Sequence, residues 1–468
     1  MTGDSSDAGQ GHSRRDFFRL AGAAGIAVGT GGALAACSTA GTSSSASPSA
    51  SGPDPAAAGT STGAAWSTLP ISQFTPGTPL AADQLRITFL GTSFLPRLSQ
   101  ESNSVFVELG NGETFVFDYG SGVSAKYVAM GISPAKQAKV FLTHLHGDHT
   151  SDLITLYCFG PSMDRKFPLD LYGPSGPNPD EGTAAFGKTL KALMKWHELS
   201  FSFLPTGLKG KGDGYDIVTH ELPYMQVGGV AYNNNGVEIT HFPAVHARDG
   251  AISYKLKWNG LSMIFSGDTR PNDYMLKQGK GVDVLIHEMV VPPEVWAAKN
   301  QHLSPGQPGW DQAVQIATEV QESSHTPQKA LGYILSQTQP RLGIATHFQV
   351  NADTIGQAIS DVQSWFKGSF AIATDLLVAT VSKSDIVLGQ ASVENFAWYP
   401  QQVQYPQDQL APPKYDSPYA QLNQTLLVSV IPSQTYDPAT TPSPSASTGG
   451  GSSLTLNPAT PGPSGSAS

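Results

Sequence analysis

Between about residues 81 and 390 the chain alternates short apolar runs with longer stretches of helical periodicity, the pattern of a layered α/β domain. Residues 85–90 read as a strand turning at Gly91. Runs 104–109 and 114–118 flank Gly110-Asn111-Gly112, which predicts a hairpin through its Asn-Gly turn. Further strands are predicted over 139–143, 169–172, 237–242, 252–258, 262–266, 282–287 and 342–346, and helices over 181–197, 310–323 and 354–366. Several strands run into polar or ionisable residues, and those endings carry the candidate chemistry.

The two ends of the chain look different. Of 468 residues 39% are hydrophobic and 14% charged, the latter well below the usual ~25%. No apolar run approaches the roughly 20 residues a membrane-spanning helix needs, which excludes an integral membrane protein. Residues 37–80 and 433–468 are dominated by Ser, Ala, Thr, Gly and Pro and bury too little surface to offset ordering entropy. They predict a flexible linker and a disordered tail around a single folded domain over 81–432. A net charge of −10 and no Lys/Arg cluster argue against a grip on long nucleic acid. With only Cys37 and Cys158, neither a disulfide framework nor a thiolate metal site is expected. Residues 1–36 read as a signal peptide: Ser13-Arg14-Arg15-Asp16-Phe17-Phe18-Arg19 matches the twin-arginine export pattern, ahead of a weakly apolar stretch. That stretch ends in Leu34-Ala35-Ala36-Cys37, which resembles a lipobox. The resemblance implies passage through the twin-arginine export machinery, lipidation of Cys37 and a lipid anchor on the extracytoplasmic side of the cell membrane.

His144-Leu145-His146-Gly147-Asp148-His149 follows the predicted strand 139–143. Two imidazoles at a spacing of two leave the strand end on the same side and can share one metal. Asp148 and His149 come one turn later and point toward a second position, and Gly147 permits the bend between the pairs. Three imidazoles and a carboxylate crowded together without a cation would be uncompensated, so the stretch predicts a metal site.

This stretch resembles the metallo-β-lactamase fold superfamily, and the likeness continues along the chain. Ile87-Thr88-Phe89-Leu90-Gly91-Thr92-Ser93 and Phe115-Val116-Phe117-Asp118-Tyr119-Gly120 are similar to the opening of its ribonuclease Z-like and arylsulfatase-like branch. Phe242-Pro243-Ala244-Val245-His246, Phe265-Ser266-Gly267-Asp268-Thr269 and Gly343-Ile344-Ala345-Thr346-His347 match its later motifs. The resemblance spans about residues 85–385 and implies a four-layer αβ/βα sandwich with metals at its edge.

Carried over residue by residue, the resemblance puts His144, His146 and His246 on one divalent metal ion. Asp148, His149 and His347 fall on a second, with Asp268 bridging. A nitrogen/oxygen set of this kind suits Zn2+, with Mn2+ or Fe as alternatives. His241 lies near the same strand end as His246, but the Pro-x-x-His spacing favours His246. Asp118 would orient the metal-bearing loop from behind. His287-Glu288-Met289-Val290 and Ser324-His325-Thr326-Pro327 are similar to elements that, in ribonuclease Z, orient and protonate the leaving group; the last two residues of the first depart from that pattern. His197, His220, His287 and His302 are read as ordinary structural residues.

The implied function is an exported, dinuclear hydrolase that cleaves a small anionic ester, a phosphodiester or an aryl sulfate, with a metal-bridging hydroxide. Asp148 would position or deprotonate the nucleophile, and His325, set by Glu288, would protonate the leaving oxygen. Alternatives are a ribonuclease Z-like endonuclease, a carboxyl-ester or lactone hydrolase, and a binding lipoprotein without catalysis. The tRNA-processing relatives insert a long arm between the positions of His246 and Asp268, whereas here about twenty residues form one hairpin, so no tRNA partner is expected. Lys188, Lys191 and Lys195 share a helix, and Lys209 and Lys211 a Gly-rich loop; a solvated face is the favoured reading over an anion site. Relatives of this kind include homodimers, but no interface is legible. Pocket walls are expected from 161–235.

Overall fold

In a computed structural model, residues 66–415 are described. They form two large sheets, of nine and seven strands, and a two-stranded ribbon. The nine-stranded sheet runs from Ile71–Phe74 at one edge to Ile217–Leu222 at the other, with Leu85–Gly91, Ser104–Leu109, Thr114–Phe117 and Lys139–Phe141 side by side at its centre. In the seven-stranded sheet Val237–Pro243, Ile252–Trp258 and Leu261–Phe265 are antiparallel neighbours. Val284–Glu288, Leu342–Thr346 and Phe370–Ile372 follow in parallel.

Strand alternation makes the layers. Phe115, Phe117 and Phe141 point inward to a core shared with Tyr254, Met263 and Phe265 of the other sheet. Their neighbours Val116 and Val140 point outward, beneath Tyr127 and Leu156 of the helices Val123–Ala129 and Leu153–Phe159. On the far side Ile264, Leu285 and Ala345 pack under the helices Gln328–Thr338 and Ala352–Trp365. Helix, sheet, sheet, helix is the expected αβ/βα sandwich. Strands buried on both faces explain why the sequence shows continuous apolar runs there.

Two expectations are corrected. The linker does not extend to residue 80: Ile71–Phe74 pairs in parallel with Ile386–Ala391, and Ile372 N donates to Trp66 O at 2.8 Å. This edge strand has half-exposed, polar-rich composition, so its pattern does not stand out. The helix expected over 181–197 is two helices, Thr183–Leu193 and Lys195–Ser200, broken at Met194. The break lets His197 Nε2 reach Cys158 O at 2.8 Å, a tertiary contact that outweighs helical periodicity. The signal peptide, Cys37 and the 433–468 tail lie outside the described residues. Among the described residues no helix is long and apolar enough to cross a membrane.

Candidate metal centre

The candidate ligands sit in turns at the ends of strands from both sheets. From the nine-stranded sheet, the stretch after Lys139–Phe141 carries His144, His146, Asp148 and His149, the last two in the short helix Gly147–Thr150. From the seven-stranded sheet, His246 follows Val237–Pro243, Asp268 follows Leu261–Phe265 and His347 follows Leu342–Thr346. Gly267 has φ +57°, and a Cβ there would lie 2.5 Å from Thr143 Cβ, so only glycine lets the Asp268 turn press against the histidine loop. His347 takes φ +58°, an uncommon conformation for a residue with a side chain, which aims its ring into the cluster.

Three donor groups result, each with ligand atoms within 4.8 Å of one another: His144, His146, His246 and Asp268; Asp148, His149, Asp268 and His347; and Glu288, His325 and His347. The structure thus brings together all seven residues expected as ligands. Asp268 is common to the first two groups. Its Oδ2 lies 3.9 Å from His144 Nε2, 3.8 Å from His246 Nε2 and 3.2 Å from His347 Nε2, and its Oδ1 lies 3.3 Å from His149 Nε2. His241 belongs to none of them: it is buried within its strand opposite Tyr254, where burial pushes its pKa down to about 4.

The outward ring nitrogens are already engaged. His149 Nδ1 donates to Asp118 Oδ2 at 2.6 Å and His246 Nδ1 to the Ser324 carbonyl at 2.9 Å, leaving each Nε2 lone pair facing the centre. Asp118 is fully buried and also accepts from Thr143 N and Thr143 Oγ1, both at 2.8 Å, so it ties the histidine loop to its own strand end. His146 Nδ1 lies 3.0 Å from His144 Nε2 and 3.1 Å from His246 Nε2. One proton cannot satisfy three converging nitrogens, and Asp268 Oδ1 is buried without a hydrogen bond. A cation resolves both problems, so the donor set fits divalent metal.

Burial works against charge on His149 and His347, but Asp268 beside them outweighs it and raises both, His347 to about 10, so protons hold the place a cation would take. Burial holds His144 well below its ordinary pKa, with His149 adding to the effect, which keeps its lone pair free. Burial works against the charge on Asp148, but His149 and His347 outweigh it and hold the carboxyl below the usual range. His325 Nδ1 lies 3.0 Å from Glu288 Oε2. Burial disfavours its charged form, yet Glu288 more than compensates and raises its pKa. Glu288 Oε1 also accepts from Thr269 N at 2.6 Å, coupling the His325 pair to the Asp268 turn.

A cavity of about 420 Å3 opens over this cluster, walled by Phe94, Leu95, Trp296, Ile316 and Val320. Its walls therefore come largely from 94–95 and 290–325, correcting the expectation of 161–235; a second cavity of about 330 Å3 beside the cluster draws on that segment, through Pro174, Gly176, Pro177 and Glu181. The helix Trp310–Ser324 has an apolar stripe that resembles any core-facing stripe, so sequence periodicity did not distinguish a pocket wall from a core. No lysine lines either cavity. Lys191 pairs with Asp216 at 2.8 Å and Lys195 with Glu198 at 3.1 Å, as a solvated face would have it.

With this fold and donor cluster, the chain belongs to the metallo-β-lactamase superfamily and is a metal-dependent hydrolase acting on ester bonds. The family profile described as "Beta-lactamase superfamily domain" matches residues 125–328. Within the superfamily it is homologous to ribonuclease Z. It is 31% identical over 216 residues to ribonuclease Z of Mycobacterium tuberculosis, covering 44% of this chain and 70% of the relative. With the Methanothermobacter thermautotrophicus ribonuclease Z it shares 27% over 252 residues, covering 44% and 74%. The crystal structure of the short form of human tRNase Z superposes with a TM-score of 0.44 at 19% identity, covering 63% of this chain and 98% of that one.

Proposed function

We propose that this chain is an exported, lipid-anchored dinuclear hydrolase that cleaves a small anionic ester, a phosphodiester or an aryl sulfate. The observation that carries the reading is Asp268, shared between two donor groups beside the Glu288–His325 pair. The residues fit two divalent ions, with zinc favoured by the imidazole-rich set. Bound there, such ions supply Lewis acidity toward an ester oxygen and lower the pKa of a water. The chain's own residues do the rest. Asp148, kept ionised, accepts a hydrogen bond from the nucleophile and orients it. His325, with Nδ1 held by Glu288, presents Nε2 to the leaving oxygen and gives it a proton.

The ribonuclease Z relatives favour a second reading, an RNA endonuclease. Against it, the hairpin Ile252–Trp258 and Leu261–Phe265 fills the interval between His246 and Asp268, and the net charge is −10. One experiment compares them: the zinc-reconstituted protein is assayed side by side on a phosphodiester, an aryl sulfate, a carboxyl ester and RNA, with metal counted per chain. About two metals and turnover of the phosphodiester or sulfate are expected. Preferential cleavage of RNA would move the assignment to the second reading, and zero or one metal after loading would remove the dinuclear centre. Membrane fractionation of Cys37→Ala tests the anchor, since release from the membrane is expected.

A further inference from the structure

The two cavities meet at the donor cluster and differ in chemistry. His146 and His246 border both. The larger has Asp148, Asp268, His325 and His347 at its floor, and the apolar side chains of Phe94, Leu95, Trp296, Ile316 and Val320 above them, with neither Lys nor Arg. Ile316, Val320 and Ser324 recur at intervals of four along the helix Trp310–Ser324 and so present one stripe to this space. Leu95 remains 54% exposed and Val320 36%, apolar surface that a bound group would cover. The smaller cavity lies on the His144 side and, unlike the larger above its floor, has charged side chains at its border: Asp249, and Arg248 with Glu181, which are paired through two bonds from Arg248 Nη2 at 2.5 and 2.6 Å. An ester centred on the cluster therefore has its two substituents in unlike surroundings. His325, the residue facing the leaving oxygen, is on the apolar side.

We propose that the larger cavity receives the leaving group, and that the substrate is an ester of a bulky apolar alcohol or phenol whose smaller, polar remainder lies toward Arg248. This rests on the hydrolase reading above. The reaction is hydrolysis: a water oxygen bonds to the phosphorus or sulfur, and the bond to the leaving oxygen breaks with its electron pair on that oxygen. His325 supplies the proton that makes the alcohol, the water's proton passes to solvent, and solvent restores the proton on His325. Trp296, Ile316 and Val320 are then specificity residues, because apolar complementarity discriminates by roughly 10–200-fold without any charge.

The test uses the full chain and begins without turnover. 2-Naphthylmethanol, a leaving-group alcohol, is titrated by calorimetry into the zinc-loaded wild type, Trp296→Ala and Ile316→Asp, each checked for folding by circular dichroism. Binding to the wild type and about tenfold weaker binding in either folded variant is expected. Absent binding, or binding unchanged in both variants, overturns the proposal. The zinc-loaded proteins are then assayed on two phosphodiesters with the same ethyl remainder and either a methyl or a 2-naphthylmethyl leaving group. A wild-type kcat/KM at least about tenfold higher for the larger group, with the ratio collapsing in the variants, supports the assignment. Equal turnover of both overturns the leaving-group role. Turnover of neither, nor of 2-naphthyl sulfate, with variant-sensitive alcohol binding intact, keeps the apolar site and overturns the hydrolase reading beneath it.

Discussion

A leaving alkoxide is a strong base and needs a proton as it departs, whereas a nitrophenolate leaves readily without one. That difference isolates His325 from the metal ligands around it. Its ring lies 5.0 Å from that of His246 and 5.3 Å from that of His347, close enough that a substitution could act through the metals. Comparing two leaving groups in one variant removes this ambiguity. His325→Ala is expected to lower kcat on alkyl esters by about 10²–10⁴-fold and on nitrophenyl esters far less, with metal content unchanged. Glu288→Gln should show the same pattern more mildly, because an amide oxygen can still accept from Thr269 N while the charge supporting the imidazolium is gone. The measurement is kcat for both ester types with metal counted in each sample. Equal losses on both esters would take His325 out of the acid role, and lost metal would make it a ligand, as its place in the third donor group allows.

Between strand and site stands the segment 92–102, which carries Phe94 and Leu95 and places the Phe94 ring 5.7 Å from that of His347. Asp375 pins it: Thr92 Oγ1 donates to Oδ1 at 2.8 Å and Glu101 N to Oδ2 at 2.7 Å. Burial raises the Asp375 pKa to about 7, even against these bonds and Lys126 at 3.7 Å. The native state therefore keeps a proton that the unfolded chain releases near pH 4, so this group subtracts stability as pH rises from about 4 to about 7. The loss is on the order of 4 kcal/mol at its limit. Asp375→Asn has no such titration. The stability of wild type relative to Asp375→Asn should be greatest near pH 4 and decline toward pH 7, as read by urea denaturation at each pH. A constant difference would mean that Asp375 is ionised throughout and that its hydrogen bonds prevail. Elements of this kind were hard to read in advance. Strands buried on both faces announce themselves as apolar runs, but Ile71–Phe74, Ile217–Leu222 and Gly229–Asn234 are edge or near-edge strands with half-exposed residues, and their patterns merge with loops.

Across the two-sheet domain, the site was more legible than the walls around it. Ligands at strand ends leave a local signature, an apolar run stopping at His144, His246, Asp268 or His347, because the strand must deliver its last side chain to a fixed point. Walls leave none, since Ile316 and Val320 have the spacing of any buried helix face and Trp296 stands on a separate short helix, Pro293–Asn300, with no pattern that sets it apart. The same arrangement makes the centre a clasp between layers. His144, His146, Asp148 and His149 come from the nine-stranded sheet and His246, Asp268 and His347 from the seven-stranded one, so bound cations join the sheets at their shared edge. Metal that binds only the folded chain stabilises it by mass action, by about 4 kcal/mol when the free ion exceeds its Kd a thousandfold. For a domain of this size that corresponds to a rise in Tm of about 5 °C. Chelator-treated wild type should thus melt lower and recover on addition of zinc. Asp268→Ala, lacking the ligand common to both groups, should lose most of that rise. His241→Gln, outside every donor group, should keep it whatever its own baseline. Differential scanning calorimetry of the three proteins with and without zinc reads this directly. A wild-type Tm indifferent to zinc, or an undiminished rise in Asp268→Ala, would show that the seven side chains converge without clasping the sheets through metal.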